Sequence, residues 1–377
     1  MSGTDITNLL DIVQRKINAV DSSASTSDLL YLLSAIRQSG EGSVFVYDNE
    51  SQIPNLLDGT PDPEMITYTL DSDKLYFQRG SWVGKELPTP IIPFQGSNYG
   101  YISGGAPGAP VANVVERFSF TSDGGGTDVG NLFAGRYNCS GQSSSTHGYT
   151  CAGQPGAIDT IDKFPFTSGF TTATDVGNLT GGRNKVAGQS SIPNGYGYNT
   201  GGGNVIDKFS FSSDGDATVA GNTLTSRSWV AGQSSTTHGY TSGNYPITSD
   251  IDKFPFASDG DATDVGDLAV TRGIACGQSS VTHGYTSGGY TTARNDTIDK
   301  FSFSTDGNAT DIGQLSVERN GPAGSSSTTH GYSAAGYQPG GPSNVIDKFP
   351  FASDFSGTAT DVGDLTSGRY YGAGQQY

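Results

Sequence analysis

Apolar and polar positions alternate with period two in a phrase that this chain repeats. Ile-Asp-Lys-Phe-x-Phe begins at Ile161, Ile206, Ile251, Ile298 and Ile346, and Val115-Glu116-Arg117-Phe118 is a variant ahead of them. That period describes a β-strand with one buried face, so Ile and the two Phe point into a core while Asp and Lys point elsewhere. The six copies stand 45 to 48 residues apart, each in the same company. The fifth shows the order: Arg272 opening Ile-Ala-Cys-Gly-Gln, then His283-Gly-Tyr-Thr-Ser-Gly-Gly, then Ile298-Asp-Lys-Phe-Ser-Phe, then Asp311-Ile-Gly-Gln-Leu315. Four short β-rich phrases in a period of this length predict one propeller blade, and six copies predict six blades.

The other phrases fit the same geometry. Ala-Gly-Gln or Cys-Gly-Gln is built from small residues, as an innermost strand must be where six strands crowd an axis, and it is expected to line the channel. Ser258 to Asp264, Ser-Asp-Gly-Asp-Ala-Thr-Asp, has the composition of a hairpin turn. The composition agrees: only 33% of the chain is hydrophobic and Gly accounts for 55 residues, yet 19 Tyr and 18 Phe supply the burial that a disordered chain lacks. The last copy is only an inner strand, Tyr370-Tyr-Gly-Ala-Gly-Gln-Gln, whereas the first lacks one. Residues 370 to 376 are therefore expected to complete the first blade and leave no open edge; Ile91 to Ser97 is the competing choice.

These phrases resemble kelch repeats. Arg136, Arg183, Arg227, Arg272, Arg319 and Arg369 match the Arg that opens a kelch inner strand, and Gly104-Gly105, Gly201-Gly202 and Gly288-Gly289 match the doublet that ends the second. Leu132, Leu179, Leu224, Leu268, Leu315 and Leu365 match the Leu of the fourth strand, while Thr-Asp stands in most copies where kelch has Trp. The resemblance covers residues 91 to 377 and implies an all-β, six-bladed kelch-like propeller closed by a C-terminal inner strand.

Residues 1 to 90 do not repeat. Ile6, Leu10, Val13, Ile17 and Val20 form a seam little more than two heptads long, and a second helix is expected from Ser27 through Leu29, Leu33 and Ile36. Helices this short are marginal alone, so residues 1–40 are expected to need partners: another copy of the chain, a docking surface, or the propeller itself. Residues 41–90 read as a small β-meander of three strands, at Val44, Met65 and Lys74, with a Gly-Ser turn running to Trp82. This module is similar to one near the N-termini of tailed-phage virion proteins, and the Ser-Ser-Thr-Thr-His-Gly-Tyr phrases resemble arrays in marine phage proteins.

Charge and chemistry narrow the function. Twenty basic against 37 acidic residues give a net charge of −17, which argues against nucleic acid as a partner. No apolar run is long enough to cross a bilayer, and Met1-Ser-Gly-Thr-Asp lacks the pattern of a secretory signal. His147, His238, His283 and His330 recur one per blade, too dispersed for one metal ion, so a repeated structural hydrogen bond is expected. Asp259, Asp261 and Asp264 alternate like hard oxygen ligands but read as turn chemistry. Cys139 and Cys151 read either as a bridge across a hairpin or as two small side chains in a sheet. No unrepeated acid, base or nucleophile stands out, so neither catalysis nor a cofactor is expected.

The connection from Gly-Gly to the third strand varies most, and variable loops on a rigid scaffold are where recognition usually sits. Tyr245, Tyr290, Arg294, Tyr337 and Gln338 are its candidate recognition residues, with Tyr suited to glycan or protein surfaces. Together with the phage resemblance this implies a non-enzymatic virion structural protein, a tail-fibre or capsid appendage. It would be made in the host cytoplasm, attached as a homo-oligomer through residues 1–90 to other virion proteins, and would bind a host glycan or surface protein. A cellular kelch-type interaction module and a glycan-processing propeller enzyme are the alternatives. If the seam joins copies, light scattering will give an oligomer for the full chain and a monomer for a chain starting at Pro90; monomers in both cases would remove the assembly role.

Overall fold

The computed structural model describes residues 95–106, 111–167, 169–352 and 355–377 with their side chains, and ahead of them the backbone of four strands. The chain divides into two units, Met1–Pro90 and Ile91–Tyr377. The expected helices, with Ile6, Leu10, Val13, Ile17 and Val20, lie outside the described residues. In the first unit β1 (Ser43–Tyr47), β2 (Met65–Thr69), β3 (Lys74–Gln78) and β4 (Trp82–Glu86) form one sheet. This corrects the expected three-stranded meander. A fourth strand begins at Trp82, and β1 runs parallel to β2, a pairing that no tight hairpin can join.

The second unit is all-β: six sheets in propeller arrangement, with no helix among the described residues. Blade four is representative, with Ala231–Ser234 innermost, then His238–Asn244, Thr248–Pro255 and Thr263–Asp267 outermost, each antiparallel to the last. The other inner strands are Ser140–Ser143 (blade two), Val186–Ser191 (three), Cys276–Ser279 (five), Ala323–Ser326 (six) and Ala373–Gln376. The last of these pairs antiparallel with Tyr99–Ser103 in blade one, from Ala373 opposite Ser103 to Gln376 opposite Gly100.

The phrase built from small residues has a steric cause. The inner strands follow one another around the axis, and Gly141, Gly188, Gly232, Gly277, Gly324 and Gly374 occupy the same place in each. A Cβ on any of them would stand 2.0–2.5 Å from the carbonyl oxygen of the equivalent glycine in the neighbouring blade. The next residue then ties the blades together. Gln142, Gln189, Gln233, Gln278 and Gln375 each donate Nε2 to the carbonyl of the second-strand Tyr one blade on, at 2.9–3.0 Å. In blade six the residue is Ser325, whose shorter side chain donates to the carbonyl of Gln375 instead.

Farther out, the fully buried second-strand Tyr wedges against both Phe of the next blade. Tyr198 lies 5.5 Å from Phe254 and 4.8 Å from Phe256 between ring centroids, and Tyr101, Tyr149, Tyr240, Tyr285 and Tyr332 repeat the contact. Such pairs add about 0.5–1.5 kcal/mol each beyond area burial. The glycine before each Tyr makes room for the blade's own first Phe: a Cβ on Gly239 would stand 2.2 Å from the Phe254 ring.

The repeated Asp and Lys separate into two kinds of pair. Asp162, Asp207, Asp252 and Asp299 meet the opening Arg136, Arg183, Arg227 and Arg272 of their own blades at 2.8–3.0 Å, fully or nearly fully buried, and Arg319–Asp347 and Arg369–Glu116 complete the set. Removing one partner of such a pair typically costs about 3–5 kcal/mol. Lys163, Lys208, Lys253 and Lys348 instead reach across to a turn Asp of the next blade, as Lys163 to Asp214 at 2.5 Å and Lys253 to Asp306 at 2.6 Å. Those aspartates are exposed, so the pairs contribute only ~0–1 kcal/mol. Leu224 departs from its expected role: it is exposed, and the buried Thr223 takes the position four residues before the Arg.

Close approach at the axis makes the inner glycines the most sensitive positions. Gly277→Ala, whose Cβ would sit 2.1 Å from the Gly232 oxygen, is expected to lose at least about 2 kcal/mol in urea denaturation. Gly181→Ala, where a Cβ meets nothing within 4 Å, is expected to stay within about 0.5 kcal/mol of the parent.

Candidate functional site

Two residues after each opening Arg, just before the inner strand, the chain adopts a left-handed conformation. The residues are Asn138, Lys185, Trp229, Ile274, Gly321 and Tyr371, with φ between 52° and 63°. Their backbones bond head to tail around the axis at 2.7–2.9 Å: Lys185 N–H to Asn138 C=O, Trp229 to Lys185, Ile274 to Trp229, Gly321 to Ile274, Tyr371 to Gly321 and Asn138 to Tyr371. This cyclic set of six hydrogen bonds rims one mouth of the axis. Gly and Asn tolerate such a φ cheaply, but larger side chains pay roughly 1–3 kcal/mol for it, the β-branched Ile most of all. The opening Arg before the ring and the inner-strand Gly after it repeat, whereas at the ring, and at the residue on either side of it, the blades differ, with six different residues at the ring itself.

The side chains turn the mouth into an aromatic surface. Lys185 Nζ sits 3.9 Å above the centre of the Trp229 ring, and Trp229 Nε1 donates to Asn138 Oδ1 at 3.3 Å. Asn138 in turn donates Nδ2 to Gln154 Oε1 at 3.0 Å. The Tyr371 ring lies over Gly321, where a Cβ would come within 2.2 Å of it. Burial raises the Tyr371 hydroxyl pKa above its ordinary value, with Tyr370 adding to this and Arg294 opposing it. The open depression at the mouth, about 50 Å³, is lined by the ring residues together with Val186, Val230 and Pro322. It holds a few waters or one protruding group, not a whole buried ligand of the kind that fills a pocket of ~300–1,000 Å³.

Four of the five sequence-predicted recognition residues extend this surface. The Tyr245 ring stands 5.4 Å from Trp229 and 6.5 Å from Tyr290. Arg294 bridges back to Tyr290 and lies 4.8 Å over the Tyr337 ring, which meets Tyr370 at 5.1 Å, and Tyr370 meets Tyr371 at 4.8 Å. An arc of six rings thus runs from blade four to the inner strand of blade one. Gln338 follows Tyr337 in a two-residue ladder opposite Gly341, and its Oε1 is buried without a protein partner. Sequence reasoning missed the axial ring because it looked for variation in loop length. The signal was variation in identity at a fixed position, Arg plus two.

The opposite end of the axis is built differently. There Gln95 donates to the Ser279 carbonyl at 2.7 Å, Gly96 to Ser326 at 2.9 Å and Asn98 to Tyr377 at 2.7 Å, all at the far ends of inner strands. The chain therefore comes into the propeller at the end away from the aromatic mouth.

The remaining candidates resolve into local structure. Nδ1 of His147, His238, His283 and His330 lies 2.8 Å from the hydroxyl of the preceding Thr, and each His N–H donates to a Ser three residues earlier. Burial, with a nearby Lys, lowers each imidazole pKa below its ordinary value. Asp259 pairs with Lys208, Asp261 accepts from Asn222, and Asp264 accepts from the Gly266 N–H, so the three carboxylates serve different partners. The described residues contain no cluster of three or more groups able to hold a metal ion. Cys139 and Cys151 are buried free thiols: Cys151 faces Ser140 across the ladder and donates to Gln142 Oε1. Burial pushes the Cys139 thiol up to about 12. No protein-family model matches the chain, and no curated protein sequence matches it.

Proposed function

We propose that this chain is a non-enzymatic binding protein that presents the aromatic mouth of a closed kelch-type propeller to a glycan or protein surface. The observation that carries the reading is the axial ring: strained backbone positions hold Lys185, Trp229, Ile274 and Tyr371 where Gly or Asn would cost less. Strain kept where the residues of a repeated scaffold stop repeating is expected at a site of recognition. Closure by the C-terminal strand, supported by its pairing with Tyr99–Ser103, holds that ring rigid. The phage resemblance makes the attached body a virion and the protein a tail or capsid appendage acting outside the host, with residues 1–90 joining copies and binding other virion proteins.

The test is retention of the full chain on immobilised polysaccharides, with released reducing ends measured in parallel. The parent is expected to be retained without releasing sugar, and Trp229→Ala to weaken retention at least about tenfold, the loss expected for a central aromatic anchor. Release of reducing ends would make the protein an enzyme. Parent chain that passes every polysaccharide unretained would remove the glycan reading.

A further inference from the structure

Resting on the glycan reading, we infer that the mouth selects an anionic saccharide, one whose sugar units carry carboxylate or sulfate groups. Fourteen Lys and Arg side chains are described, and ten of them meet a carboxylate: the six opening Arg, and Lys163, Lys208, Lys253 and Lys348. Of the other four, Arg117 bonds the Thr167 carbonyl and stacks on Tyr99, and Lys300 stands at the repeat position of Lys163, Lys208, Lys253 and Lys348. The remaining two are Lys185 and Arg294, and both are at the mouth.

A chain of net charge −17 has carboxylates to spare, yet none lines the axial depression. Lys185 and Arg294 rest instead on the faces of Trp229 and Tyr337. An aromatic face positions a cation without neutralising it, so both charges stay available to an incoming anion. The rest of an acidic chain repels anions, as it repels nucleic acid, so these two cations confine an anionic ligand to a short contact at the mouth. The arc of Trp and Tyr rings offers flat faces of the kind on which the C–H side of a sugar stacks, each ring carrying a polar edge for hydroxyls. The small volume of the depression suits one substituent of a chain lying across the face rather than a whole saccharide.

The test uses the full chain in calorimetric titrations with oligogalacturonate, with the same oligomer fully methyl-esterified, with dextran sulfate and with neutral dextran. At least one anionic probe is expected to bind about tenfold or more tightly than its neutral counterpart, with affinity falling as salt is raised. The paired substitution Lys185→Gln and Arg294→Gln is expected to abolish that preference at an unchanged melting temperature, and Lys185→Arg with Arg294→Lys to keep it. Preference for oligogalacturonate alone assigns the carboxylate, and preference for dextran sulfate alone assigns the sulfate. Equal binding of charged and neutral forms, or a preference that survives the Gln pair, overturns the inference while leaving glycan recognition standing. Failure of all four probes, with the parent still retained on other polysaccharides, would overturn it as well.

Discussion

Contact between glycines around the axis is the constraint on which the rest of the propeller depends. Six inner strands meet so closely that the Cα of each central glycine faces the carbonyl of the previous one, with no room for a methyl group. Fixing that spacing sets the angle between successive sheets. The second-strand Tyr can then fill the wedge between two Phe of the next blade only because glycine again replaces a side chain where the Phe ring lies. Small residues near the axis and aromatic residues farther out are thus two sides of one steric taper.

Polar groups hold that taper in register. An inner-strand Gln spans to the neighbouring blade's Tyr carbonyl, and the buried Arg–Asp pair fixes the approach to each inner strand. The same carboxylates accept backbone N–H groups from the preceding blade, Asp162 from Phe133 at 3.0 Å and Asp347 from Ser316 at 2.9 Å. One acid therefore serves both the blade it belongs to and the one before, as a buried charge must if its desolvation is to be offset.

Much of this was legible in the sequence because it repeats. The period gave six blades, the alternation of Ile-Asp-Lys-Phe-x-Phe gave the buried face, and the small residues gave the axis. What stayed hidden depended on contacts that no single repeat contains. That the Asp of this phrase meets the Arg within its blade while the adjacent Lys crosses to the next follows from strand direction. The parallel pairing of β1 with β2 is a register that no hairpin turn sets, so no local signal announces it. The axial ring was missed for the opposite reason: Asn138, Lys185, Trp229, Ile274, Gly321 and Tyr371 share nothing except their distance from an Arg, and only the backbone shows that they bond to one another. The loop tyrosines were found from the sequence, but not that three of them would join Trp229 and Tyr371 in one arc.

The division between repeated scaffold and unrepeated mouth is tested most directly by one melting curve. Placing Asn, which accepts a left-handed φ, at positions 185, 229, 274, 321 and 371 alongside the existing Asn138 would make the ring uniform. If those side chains serve recognition and not folding, the uniform protein will melt at or above the temperature of the parent. A melting point several degrees lower would contradict this and make the ring part of the core.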